Sequence, residues 1–148
     1  MRVILDTNVF ISYLLAPQQH DEKVPYVMQM AFFGRYTLLV PADLLAELQA
    51  KMATKPYLVK HIPPHTVEKF LTALAMVAEL IPPITEPIPV VSRDKKDDYL
   101  FAYAVVGEAD YLVSGDEDVL VIKQVQGVKI VSPAEFYDIL NKPNWDND

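Results

Sequence analysis

Short apolar runs of strand character alternate along this chain with stretches of helical periodicity, and that alternation restricts the fold more than any other feature. Arg2 to Leu5 is an apolar run that stops at Asp6, and Asn8 to Leu15 follows with apolar residues at helical spacing. Val24 to Phe33 reads as a second helix, closed by Gly34. Tyr36 to Val40 is rich in strand formers and ends at Pro41; Ala42 to Ala53 is then helical, with Leu44, Leu45 and Leu48 on one face. Thr66 is the expected N-cap of a helix over Val67 to Leu80. Prolines 82, 83, 87 and 89 exclude a helix over the next segment, which reads as a rigid connection. Asp97 to Val106 is the next helix, Tyr111 to Val113 and Lys129 to Val131 are strands, and Ser132 with Pro133 opens a last helix that turns Phe136, Ile139 and Leu140 inward. Such alternation closes into right-handed βαβ units. The expected architecture is therefore an α/β fold, a three-layer α/β/α sandwich on a mostly parallel sheet of about four or five strands. Residues 1–140 read as one domain, and 141–148 as a polar, frayed tail.

In a parallel sheet of this kind ligands bind beyond the carboxyl ends of the strands. Asp6 stands just past the first strand and Asp116 just past Tyr111 to Val113. Glu47 is about one turn into the helix after the second strand, and Asp97 and Asp98 open the helix after the proline-rich connection. Carboxylates from separate segments thus reach one edge of the sheet. Without cations they repel and raise one another's pKa, so the cluster calls for a hard cation, and oxygen-only ligands suit Mg²⁺ or Mn²⁺. Two such ions can activate water and stabilise the leaving oxygen of a phosphodiester, with no Ser, Cys or His nucleophile required. Each acid also has a plainer reading. Asp6 can be a helix N-cap, Glu47 a solvated helix residue, Asp97 and Asp98 a pair favoured by the helix dipole, and Asp116 a turn residue. Asp118 is a further candidate ligand, and Asp94 reads as structural.

The absence of cysteine excludes disulfides and thiolate metal sites and fits a reducing cytoplasm. Asp6 interrupts the first apolar run too early for a signal peptide, and no apolar run approaches the ~20 residues that span a bilayer, so no membrane partner is expected. The net charge of −7 opposes tight non-specific binding of nucleic acid, although two divalent cations in a carboxylate site would cancel about four of those charges. Lys95 and Lys96, beside the acids, are the preferred cations for guiding phosphates; Arg35, Lys51, Lys55, Lys60 and Arg93 read as solvated surface charges that could do the same. His20, His61 and His65 fall in expected loops and lack metal-ligand spacing. Phe32, Phe33, Tyr99, Phe101 and Tyr103 read as mostly core, and Trp145, alone in a polar tail, as either packed on a partner chain or disordered.

At this point the residues resemble a family. Val3-Ile-Leu-Asp-Thr-Asn-Val-Phe10, Leu44-Leu-Ala-Glu-Leu48, Arg93-Asp-Lys-Lys-Asp-Asp-Tyr-Leu100, Ala109-Asp-Tyr-Leu-Val-Ser-Gly-Asp-Glu-Asp-Val-Leu120 and Val131-Ser-Pro-Ala-Glu-Phe136 are similar, in order and spacing, to the motifs of PIN-domain nucleases. The likeness is to the toxin-component branch of toxin–antitoxin pairs. It covers nearly the whole chain, with Lys95 in place of the usual proline, Ser114 in place of the usual threonine, and residues 52–80 saying least. It implies a PIN-like fold and endonucleolytic cleavage of RNA with one or two Mg²⁺ or Mn²⁺ ions. It implies metal binding by Asp6, Glu47, Asp97 or Asp98, and Asp116, with Thr7, Asn8 and Ser114 supporting them by hydrogen bonds. A small antitoxin protein and a homodimer are the implied partners. Two other readings stay open: an RNA-processing nuclease without an antitoxin, and an inactive domain that binds RNA or protein. Because Asp97 and Asp98 are about 100° apart around a helix, one is expected at the metal and the other at a cap or in solvent.

Overall fold

The computed structural model describes residues 1–143. In chain order its elements are β1 (Arg2–Leu5), α1 (Thr7–Gln19), α2 (Lys23–Phe32), β2 (Thr37–Pro41), α3 (Leu44–Thr54), α4 (Pro56–His61), α5 (Pro64–Val77), β3 (Glu79–Ile81), α6 (Lys95–Val106), β4 (Tyr111–Val113), α7 (Glu117–Leu120), β5 (Gln124–Val125), β6 (Val128–Val131) and α8 (Pro133–Leu140). The strands form a sheet in the order β3-β2-β1-β4-β6-β5. All pairs are parallel except β5 with β6, a short antiparallel hairpin around Gly127.

Strand residues alternate between two cores, as the pleat requires. Val3, Leu5, Leu38, Val40, Val113 and Val131 pack into one cluster with α1, α2, α3, α5 and α8. Ile4, Leu39, Leu112 and Ile130 pack into the other with α6 and α7. Helices therefore cover both faces, and the three-layer arrangement follows from the strands being apolar on both sides.

The boundaries depart from the sequence reading in instructive places. The helix expected over Val67 to Leu80 starts at Pro64, with Pro63 and not Thr66 as its N-cap, and it ends at Ala78, whose ψ of 143° is extended. Glu79 to Ile81 then joins the sheet beside Leu39 to Pro41. Nothing local distinguishes Glu79 to Ile81 from a last helical turn; the free edge of β2 decides the matter. With β3 and the two-residue β5, the sheet has six strands where about four or five were expected. Two short helices, α4 and α7, fill segments to which the sequence patterning assigned no element. His61 consequently ends a helix, its ring 4.4 Å from that of Tyr57 and tilted by 50° to it, and His65 lies in the first turn of α5. Helix α1 runs on through Pro17. Of the aromatic residues read as core, Phe101 and Tyr103 are buried and Phe32 partly so, whereas Phe33 and Tyr99 are exposed. The segment expected to fray begins in an ordered way, Asn141 donating from its side chain to Tyr137 O at 2.8 Å; the rest of that tail, including Trp145, lies outside the described residues.

The edge of the sheet opposite the expected site is tied shut by Arg2. Its guanidinium donates to Gly107 O at 2.8 and 3.0 Å and pairs with Glu79, while its amide donates to Asp110 Oδ2 at 2.8 Å. That draws β1, β3 and the turn after α6 together. At the same turn Gly107 leaves no room for a side chain: a Cβ there would stand 2.8 Å from Ile81 Cδ1 and 3.1 Å from both Leu39 Cδ1 and Tyr103 O. Gly107→Val should therefore cost about 1–3 kcal/mol, as overpacking does, and lower the melting temperature by several degrees; an unchanged thermal transition would show that α6 does not press on β2 and β3 as described.

Candidate active site

The pairing of β1 with β4 sets Leu5 beside Val113, so the next residues on the two strands, Asp6 and Ser114, emerge side by side. The Asp6 amide extends the ladder to Val113 O at 2.9 Å, and that of Ser114 to Val131 O at 3.0 Å. Asp6 then opens α1, with an extended backbone at φ −61° and ψ 146°. Ser114 is fully buried, and its hydroxyl does two things. It donates to Asp6 Oδ2 at 2.8 Å and accepts the Asp116 amide at 3.1 Å. Burial pushes the Asp6 carboxyl above its usual range; the bond from Ser114 offsets part of this and the charge of Asp116 adds to it.

Asp116 caps α7, its Oδ1 accepting the Asp118 amide at 2.9 Å. This is the turn role that its sequence context suggested, in a residue that also faces Asp6. Asp118 is exposed and ion-paired, 2.8 Å from Arg93 Nη2. Asp94, as read, is structural: it caps α6 by accepting the Lys96 amide at 2.9 Å.

The first turn of α6 turns its two adjacent acids apart, but the one turned from the cluster is neither at a cap nor in solvent, the two places expected for it. Asp98 is buried, and its Oδ1 accepts from the amides of Val91 and Ser92 at 2.8 and 2.7 Å and from the Ser92 hydroxyl at 3.2 Å. Those bonds hold its pKa below the usual range and fasten the end of the proline-rich segment to α6. Asp97 faces the other acids. Burial, then the charges of Asp116, Asp94, Asp6 and Asp118, push its pKa up to about 6.

The structure thus brings Asp6, Asp97 and Asp116 into one electrostatic neighbourhood, with Asp94 and Asp118 at its margin. Glu47 is exposed in the first turn of α3, on the same edge, but its carboxylate is not among the charges acting on Asp6 or Asp97. Thr7 and Asn8 form the start of α1, and hydrogen bonds from their backbone favour the charged form of the Asp6 carboxyl. Lys95 and Lys96 are exposed at the start of α6. The donors are all carboxylate oxygens, the set that suits Mg²⁺ or Mn²⁺. Their spacing is open: among the described residues no three His, Cys, Asp or Glu side chains stand close enough to hold one ion as placed. No helix among the described residues is long and apolar enough to cross a membrane.

The model of the PIN domain family matches residues 2–118, a stretch that contains every one of these acids. An uncharacterized protein of Methanocaldococcus jannaschii is 26% identical over 151 residues, covering 96% of this chain and 93% of that protein. Among solved structures, a chain in the crystal structure of VapBC2 from Rickettsia felis, bound to a DNA fragment from their promoter, superimposes with a TM-score of 0.60 at 14% identity. The alignment covers 89% of this chain and 98% of that one. The PIN domain of human SMG5 superimposes with a TM-score of 0.50 at 15% identity, covering 93% of this chain and 98% of that one. At these identities the two structures speak for the fold.

The raised pKa of Asp97 has a measurable consequence. With a folded value of about 6 against an ordinary 3.8, the native state keeps this proton to higher pH than the unfolded chain does. The stability it confers is complete below about pH 4 and is lost as the pH rises through 6. Asp97→Asn is neutral throughout and escapes that loss. In metal-free buffer the melting temperatures of the variant and the parent should lie closest at pH 4 and diverge in the variant's favour up to pH 7. A constant difference across that range would mean that Asp97 is insensitive to its four acidic neighbours.

Proposed function

Because the chain belongs to the PIN domain family, a nuclease family, we propose that it hydrolyses RNA phosphodiesters with one or two divalent cations, Mg²⁺ or Mn²⁺. The observation that carries this reading is the convergence of Asp6, Asp97 and Asp116, from the end of β1, the start of α6 and the turn after β4, near enough for their charges to act on one another. Mutual repulsion of this sort is relieved when a cation enters. In this reading Asp6, Asp97 and Asp116 hold the cation and Glu47 is the fourth acid, approaching from α3. Such ions, when bound, supply an activated water and stabilise the leaving oxygen of the phosphodiester.

The remaining groups act on the acids. Ser114 fixes one oxygen of Asp6 and the backbone of Asp116. Asp98 holds the segment that leads into α6 and so sets where that helix begins. The likeness to a chain of VapBC2 supports a toxin restrained by a small antitoxin protein; a homodimer in the cytoplasm completes this proposal. An RNA-processing nuclease without an antitoxin shares this chemistry, and a small gene encoded next to this one would separate the two. An inactive RNA- or protein-binding domain is disfavoured by the intact set of acids.

Incubation of the purified protein with RNA should give cleavage in Mn²⁺ or Mg²⁺ and none in EDTA. Asp6→Asn and Asp116→Asn should each abolish it while remaining folded; cleavage at the parental rate by either folded variant would overturn the assigned site. Cation binding should also be visible without activity. At ten times its Kd an ion that binds only the native state contributes about 1.4 kcal/mol, or roughly 3–6 °C in melting temperature for a chain of this size. That shift should vanish in the Asp6→Asn/Asp116→Asn double variant, and a parent indifferent to millimolar Mn²⁺ would leave the acids as helix caps alone.

A further inference from the structure

We propose that Arg93 is the residue that engages a phosphate of the RNA, with Asp118 holding its guanidinium at the rim of the site until the strand arrives; this rests on the nuclease reading above. The acid cluster raises an obstacle that the cations alone do not remove. A chain of net charge −7 presents at least five carboxylates along one edge of its sheet, and a polyanion must be brought against them. A fixed positive group has to stand within reach of the scissile phosphate. The nearby cations are Arg93, Lys95 and Lys96. The two lysines are exposed side chains at the start of α6, whereas Arg93 is joined to the site itself through its 2.8 Å bond to Asp118.

The geometry gives Arg93 its reach. It precedes Asp94, the cap of α6, and lies four positions before Asp97. Asp118 sits in the first turn of α7, two positions beyond Asp116, and donates its amide to the capping carboxylate of Asp116. The ion pair therefore spans the gap between the two segments that deliver Asp97 and Asp116. Both partners are open to solvent, with 90% of the Arg93 side chain and 60% of the Asp118 side chain exposed. An ion pair so exposed contributes little to stability, so stability does not account for it, and exchange of its carboxylate for another anion is easy. The guanidinium is a planar fork that suits phosphate in a bidentate way, which a lysine ammonium does not reproduce. Exchange of Asp118 for a phosphodiester oxygen frees a carboxylate beside the proposed cation site.

Binding of a fluorescent single-stranded RNA should be measured in Mn²⁺ in the non-cleaving Asp116→Asn protein, with Arg93→Ala, Arg93→Lys and Asp118→Asn added one at a time. Removing Arg93 should weaken binding by about tenfold, the loss of one charge-assisted pair, and flatten the dependence of log affinity on log salt by roughly 0.7. Arg93→Lys should restore the salt slope but only part of the affinity. Asp118→Asn should leave affinity equal or higher, because the arginine is released to the phosphate. The inference is overturned if Arg93→Ala binds with the parental affinity and slope. It is also overturned if Asp118→Asn loses as much affinity as Arg93→Ala, which would make the pair a structural latch, or if the Asp116→Asn protein fails to bind RNA in Mn²⁺. A parent that binds RNA through Arg93 but never cleaves it would refute the nuclease reading and leave this one standing.

Discussion

Parallel pairing of β1 on both sides is the constraint from which the rest of the molecule follows. Its residues meet Thr37 to Leu39 on one flank and Tyr111 to Val113 on the other. A strand in that position has no solvent-facing side, which is why Val3, Ile4 and Leu5 are all fully buried. It also has two different ends. At the amino end Arg2 gathers Glu79, Gly107 and Asp110 into a closed polar knot. At the carboxyl end the register places Asp6 against Ser114, and that end stays open.

Ser114 shows how a buried hydroxyl turns sheet register into site geometry. A serine with no exposure must be satisfied internally, and the two groups that satisfy it are a carboxylate of one strand and an amide of the loop leaving its neighbour. The bond to Asp6 makes the charged form of that carboxyl easier to bear in a place where burial resists it. The site is thus under electrostatic tension while its backbone is well held. Stability is given up at the acids and recovered in the two apolar cores, an arrangement common to sites that act on charged ligands.

The two acids of α6 illustrate a division of labour between neighbours in sequence. Asp98 points into the protein and receives three hydrogen bonds, so it fastens the proline-rich segment. Asp97 points to the carboxyl edge and receives repulsion. A helix needs only one residue's rotation, about 100°, to assign two identical side chains to opposite roles.

The amino-acid sequence by itself determined the α/β layering, because strands apolar on both faces can be buried only between two layers of helices, and it directed Asp6, Glu47, the Asp97–Asp98 pair and Asp116 towards one edge, where parallel strands end and helices begin. It also marked Ser132 as a cap from its position alone, and Ser132 caps as read; that Asp94 caps α6 emerged only from the structure. Only the tertiary structure decided the rest. Glu79 to Ile81 is a strand because β2 offers an unpaired edge, a non-local fact that no window of sequence contains. Asp97 rather than Asp98 faces the acids because the amides of Val91 and Ser92 arrive beside one of them, and Arg93 meets Asp118 because α6 and α7 start on the same side of the sheet. Local patterning specifies which surfaces are apolar and where helices begin; the rotation of a helix and the pairing of side chains 25 residues apart depend on how the layers settle against each other.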